Sequence, residues 1–116
     1  MEHPMLYPDT TQELAQKRSA LAPEIQSAFR AFGKAVFADG ALPSKTKQLI
    51  AVAAAHVTQC PYCIRGHTTL AVKAGATEQE LMEAIWIAAE MRAGAAYAHS
   101  IIAIDAMNQA KAPPAT

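Results

Sequence analysis

No apolar segment of this chain alternates with a clean period of two, which argues against half-buried strands. What remains is apolar residues at helical spacing, punctuated by prolines and glycines. Alanine is abundant and glycines number five in 116 residues, so the expectation is an all-α bundle of about six helices. A chain of this length makes one domain, residues 1–116.

The punctuation places the helices. Residues 1–8, with Pro4 and Pro8, read as an extended arm. Asp9, Thr10 and Thr11 offer N-cap oxygens to a helix from Gln12 to about Leu21. Pro23 opens the next, to about Ala38, whose Ile25, Phe29, Phe32 and Val36 share a face that reads as core. After the turn Asp39-Gly40-Ala41-Leu42-Pro43, Ser44 is the expected cap of a third helix carrying Leu49, Ile50, Val52 and Val57. Gly75 ends a fourth, and Thr77 with Glu80 forms a capping box for a long helix with Leu81, Ile85 and Trp86, the last a core or interface anchor. Gly94 is expected to break or bend that helix, leaving a last one with Tyr97, Ile101 and Met107 and a loose tail over 111–116.

Composition narrows the partners. Ten basic and ten acidic side chains give zero formal charge, and no basic cluster supports nucleic-acid binding. No apolar run reaches the roughly 18–20 residues that span a bilayer, and the start Met1-Glu2-His3-Pro4 does not read as a signal peptide. A soluble, cytoplasmic protein is expected. Small residues such as Ala51, Ala55, Ala88 and Ala89 suit close helix contact and a further surface for self-association.

Between the third and fourth helices stands Cys60-Pro61-Tyr62-Cys63-Ile64-Arg65-Gly66-His67, holding the only two cysteines. Pro61 suits the first turn of a helix, which puts Cys60 at the N-cap and Cys63 one turn in. Cys60, Cys63 and His67 then share one stripe at i, i+3 and i+7. Helix N-termini favour thiolates, and a neighbouring imidazole is the usual activator of a cysteine nucleophile. His56, four residues before Cys60, is a further candidate for proton transfer, or else a helix-terminal histidine favoured by the dipole. His99 reads as structural. Zinc is the weaker alternative: a second cysteine pair is missing, and a set drawn from His56, His67 and His99 lacks finger spacing. No metal or cofactor is expected.

These residues, with Pro43 through Gly75 and the Gly75-Ala76-Thr77 turn, resemble the AhpD-like branch of the carboxymuconolactone decarboxylase family over roughly residues 20–108. The resemblance implies an all-helical fold assembled as a homotrimer or homohexamer. It also implies a thiol peroxidase or disulfide reductase, with Cys63 as peroxidatic thiolate, Cys60 as resolving thiol and His67 as proton relay. The oxidant would be a small hydroperoxide or the disulfide of a partner peroxiredoxin, and a thiol reductant would restore the dithiol.

Two positions depart from the family pattern. Gln48 stands where the family has a glutamate, and glutamine holds a hydrogen bond but takes no proton. Tyr62 stands where some members have a second histidine. His56, Glu83 or Glu90 are the candidates to replace the missing carboxylate. Two other readings stay open: a lyase acting on a lactone acid through His67, Arg65 and Arg92, and a non-catalytic redox sensor.

Overall fold

Residues 6–114 are described by the computed structural model, in which prolines, side-chain caps and one glycine turn mark most of the helix boundaries. Five α-helices follow in order, with no strand among the described residues. Their contacts gather into two units, Met1–Ala38 and Asp39–Thr116.

The first unit is a helical hairpin. Helix α1 (Gln12–Leu21) is capped by Thr11, whose hydroxyl accepts the Leu14 N–H at 3.2 Å, and α2 (Pro23–Phe37) begins on its proline. Phe29 and Phe32 do not form the expected core: they are 68% and 63% exposed, their rings 6.4 Å apart. Helix α1 has no buried residue and only two large aliphatics, Leu14 and Leu21, so it gives the α2 stripe little to pack on. The extended arm expected over residues 1–8 and the tail over 111–116 lie partly outside the described residues; Leu6 to Thr11 carry no helix.

The second unit holds α3 (Ser44–Thr58), α4 (Pro61–Lys73) and α5 (Glu78–Lys111). Helix α3 lies at its centre, packed on both of the others. Val52, Ala71 and Leu81, one from each helix, make the heart of the core, with Leu49, Ala76 and Ile85 around them. Buried Ala55, Ala84 and Ala88 keep the helices close, because an alanine side chain adds almost no thickness at a crossing.

Two local expectations change. Ser44 does not cap α3: it is the first helical residue, and its N–H donates to the Asp39 carboxylate at 2.6 Å. Pro43 occupies the N-cap position and has no side-chain oxygen to offer, so the acceptor comes from five residues back. Gly94 does not break α5, which runs for 34 residues. A single glycine costs a helix only about 1 kcal/mol, and the alanines and leucine-like residues on either side outweigh it. The count is therefore five helices rather than about six.

The turn from α4 to α5 follows its sequence. Gly75 takes φ +98°, its N–H bonds the Val72 carbonyl, and the Ala76 N–H bonds the Ala71 carbonyl at 2.9 Å. This is a Schellman ending, which needs the left-handed conformation glycine adopts without strain. Thr77 and Glu80 then bond each other's backbone N–H groups as a capping box, at 3.1 and 2.9 Å.

Candidate functional site

The cysteines sit where α3 stops and α4 starts, and both helices act on Cys60. Helix α3 ends on Gln59, the only non-glycine residue among those described with positive φ, at +57°. That conformation costs a side-chain-bearing residue roughly 1–2 kcal/mol. The reversal brings the N–H groups of Gln59 and Cys60 onto the carbonyl of buried Ala55, the second at 3.1 Å. Cys60 is thus pinned by its own backbone before its side chain does anything.

That side chain caps α4. The Cys60 sulfur accepts the Cys63 N–H at 3.3 Å, and Pro61 occupies the first helical position. Both thiols are free and half-buried. They are also unequal. The Cys63 thiol and N–H both donate to the Cys60 sulfur and hold its pKa below the ordinary thiol value, against a smaller opposing effect of desolvation. The same contact, in which Cys63 keeps its proton to donate, pushes Cys63 up, and burial adds to it. The pair is arranged to lose its first proton from Cys60.

His67 lies one turn beyond Cys63 on α4, and its ring is set by α3. The Nδ1–H donates to the side-chain oxygen of Gln48 at 2.8 Å; that oxygen only accepts, so the proton is on Nδ1 and the lone pair of the neutral ring is on Nε2. Gln48 is the one buried polar residue among those described.

His56 donates its Nδ1–H to the Val52 carbonyl of its own helix at 2.7 Å, and His99 does the same to Ala95 at 2.9 Å. Glu83 lines an open groove of about 400 Å³ between α3 and α5, beside Leu49, Ile50 and Ala53. The Glu90 carboxylate lies over Gly94 on its own helix. Tyr62 is partly exposed. No three His, Cys, Asp or Glu side chains converge as a metal-binding group among the described residues.

Arg92 was a candidate only for holding a carboxylate substrate. Its guanidinium instead donates to the Val57 carbonyl at 2.9 Å, tying α5 to the last turn of α3 just before Gln59 and Cys60. Thirty-five residues separate the partners. No local pattern announces such a bond.

The described residues thus form an all-helical fold with two free thiols at the start of α4 and a histidine one turn further in. The model of the carboxymuconolactone decarboxylase family matches residues 23–106, and the chain belongs to that family. It is 62% identical over 85 residues to "Uncharacterized protein 4 in cox locus" of Paracoccus denitrificans, covering 73% of this chain and 77% of the relative. A crystal structure of an apo carboxymuconolactone decarboxylase family protein of Legionella pneumophila superposes with TM-score 0.63 at 43% identity, over 68% of this chain and 70% of that one. A family member of Thermotoga maritima, described in connection with antioxidative response, superposes with TM-score 0.54 at 27% identity, over 71% and 94%.

Proposed function

We propose that this protein is a thiol-dependent oxidoreductase that cycles Cys60 and Cys63 between dithiol and disulfide. A small hydroperoxide or the disulfide of a partner peroxiredoxin oxidises it, and a thiol reductant restores it. The observation that carries the reading is the 3.3 Å hydrogen bond from Cys63 N–H to the Cys60 sulfur, which holds two free thiols on one turn at a helix start. Closing a disulfide there needs little movement of the chain, since paired cysteine Cα atoms usually lie roughly 4.4–6.8 Å apart, within reach of i, i+3 helical neighbours. His67 supplies the base and Gln48 its orientation.

With a hydroperoxide, a thiolate attacks the O–O bond, becomes a sulfenic acid and loses water to the other thiol as the disulfide forms. The lyase reading finds less support, because Arg92 is engaged on the Val57 carbonyl.

A cytoplasmic setting suits the cycle, since reducing compartments keep such pairs as thiols between turnovers. No described helix is long and apolar enough to cross a membrane. A homotrimer or homohexamer completes the proposal: Trp86, Tyr97, Ile101 and Ile102 on α5 are between 65% and 81% exposed, more apolar surface than a lone subunit ordinarily shows to water.

The test is peroxide-dependent consumption of a dithiol by the purified protein beside Cys60→Ser and Cys63→Ser. Turnover by the wild type and loss in both variants supports the cycle. Turnover that survives either replacement removes the disulfide from the mechanism.

A further inference from the structure

Cys60 and Cys63 are chemically distinct in this fold, and the distinction assigns an order of events. We propose that Cys60 makes the first bond to an incoming disulfide and that Cys63 closes the internal one, the reverse of the order that the family resemblance implies for peroxide. The inference rests on the dithiol cycle proposed above and names which sulfur starts it.

Three observations converge on Cys60. Its sulfur is the acceptor at the N-terminus of α4, where the Cys63 N–H points at it from 3.3 Å, so negative charge there is stabilised by a backbone dipole that needs no rearrangement. Its backbone is anchored independently by the N–H bond to the Ala55 carbonyl at 3.1 Å, so the sulfur keeps its place while its bonding changes. Cys63, one turn into the helix, serves as a donor to that sulfur through both its N–H and its thiol, and therefore holds its proton in the resting dithiol.

His67 fits the second step. His67 stands four residues from Cys63 on α4, the i, i+4 spacing of neighbours on one helix face, and with Nδ1–H donated to Gln48 its basic nitrogen is Nε2. It can take the Cys63 proton at the moment that sulfur must become a nucleophile. Gln48 cannot take that proton, so the step from imidazole to a carboxylate at this position is missing. Such a truncated relay matches a disulfide oxidant better than a peroxide: a departing thiolate is stable without protonation, whereas an alkoxide or hydroxide needs a proton delivered to it.

The steps balance. The Cys60 thiolate attacks one sulfur of R–S–S–R′, a Cys60–S–S–R bond forms, and R′–S⁻ departs. His67 then accepts the Cys63 proton, the Cys63 thiolate attacks the Cys60 sulfur, the internal disulfide forms and R–S⁻ departs. Cys60 and Cys63 together lose two electrons, the external disulfide gains them, and the two protons released from the dithiol end on the two product thiols.

The decisive experiment uses the unmodified protein. Reduced wild type is treated at pH 7 with iodoacetamide well below one equivalent, and tandem mass spectrometry locates the carbamidomethyl group. The expected result is label on Cys60 in at least about tenfold excess over Cys63, because thiolate fraction governs the rate. Equal labelling, or an excess on Cys63, overturns the proposal.

The disulfide arm uses dithiobis(nitrobenzoic acid) as probe. Cys63→Ser is expected to keep a fast first release of thionitrobenzoate and to retain one mixed disulfide on Cys60, while Cys60→Ser reacts about tenfold more slowly. A fast Cys60→Ser and a slow Cys63→Ser reverse the assignment. Wild type separates this question from the cycle itself: release of two thionitrobenzoates per chain with an internal disulfide in the peptide map upholds the cycle whichever sulfur begins. Release without that disulfide refutes both.

Discussion

The Nδ1–H of His67 donates to the Gln48 side-chain oxygen at 2.8 Å, joining α4 to α3 through a glutamine that is itself buried. A glutamate at that position would hold the ring in the same way and also accept its proton. The glutamine keeps the orientation and gives up the transfer, so the two roles can be separated by substitution.

Gln48→Leu leaves the His67 N–H without its acceptor and removes a buried amide. Loss of a partner from a partly buried donor costs about 1 kcal/mol, and a fall of a few degrees in Tm is expected together with slower dithiol turnover. Gln48→Glu is expected to retain the fold and raise peroxide turnover above wild type, because a carboxylate at 2.8 Å favours the imidazolium and extends the relay. Parallel melting curves and peroxide assays check both. A Gln48→Glu protein no faster than wild type would mean the relay does not limit the peroxide reaction.

Arg92 makes its bond to the last turn of α3, just before Gln59 and Cys60. Arg92→Gln frees the Val57 carbonyl and loosens the segment that presents Cys60. A cost of about 1 kcal/mol is expected from the lost hydrogen bond, with faster amide exchange at Gln59 and Cys60, whose N–H groups bond Ala55. Arg92→Lys, which keeps a donor, should recover part of the protection. Unchanged exchange at Gln59 and Cys60 in Arg92→Gln would show that the clamp does not govern the turn.

How much of this was open to the sequence depends on distance along the chain. Pro23, Pro61, the Gly75 turn and the Thr77–Glu80 box each act within a few residues, and the helix starts they mark stand where they were expected. So does the placement of Cys60 at the N-cap of α4. The Asp39 cap escaped because proline at the N-cap position hands that role to a residue outside the usual window. Whether Phe29 and Phe32 are core depends on what covers them, which periodicity along one helix does not state. The Gln48–His67 and Arg92–Val57 bonds span 19 and 35 residues and belong to the packing alone.

Glu80 carries a pH signature. Its carboxylate accepts the Thr77 N–H and pairs with Lys45 at 2.9 Å, and these, the backbone bond first, hold its pKa below the ordinary glutamate value of 4.5. A group with a depressed folded pKa stabilises the fold above its unfolded value and loses that contribution as pH falls through the folded one. Melting temperature should therefore decline as pH drops below about 4.5, and Glu80→Gln, which has no charge to lose, should show a shallower decline over the same range. Identical slopes would assign the acid sensitivity to other carboxylates.

Gly94 offers a test of both stability and assembly. It sits inside continuous α5, and a methyl group built there would meet only the Glu90 carboxylate, at 3.3 Å, the movable end of a flexible side chain. Alanine in a helix interior is favoured over glycine by about 1 kcal/mol, so Gly94→Ala should raise Tm by a few degrees if nothing outside the chain needs the space. The neighbouring Tyr97, Ile101 and Ile102 are largely exposed, which is the ground for expecting another subunit against this half of the helix. A second copy packed on Gly94 would feel the added methyl, so light scattering belongs beside the melt. Higher Tm at unchanged mass puts the subunit contact on other residues of α5. Lower mass or lower Tm places Gly94 within it. A wild type that runs as a single chain would remove the homo-oligomer from the proposal altogether.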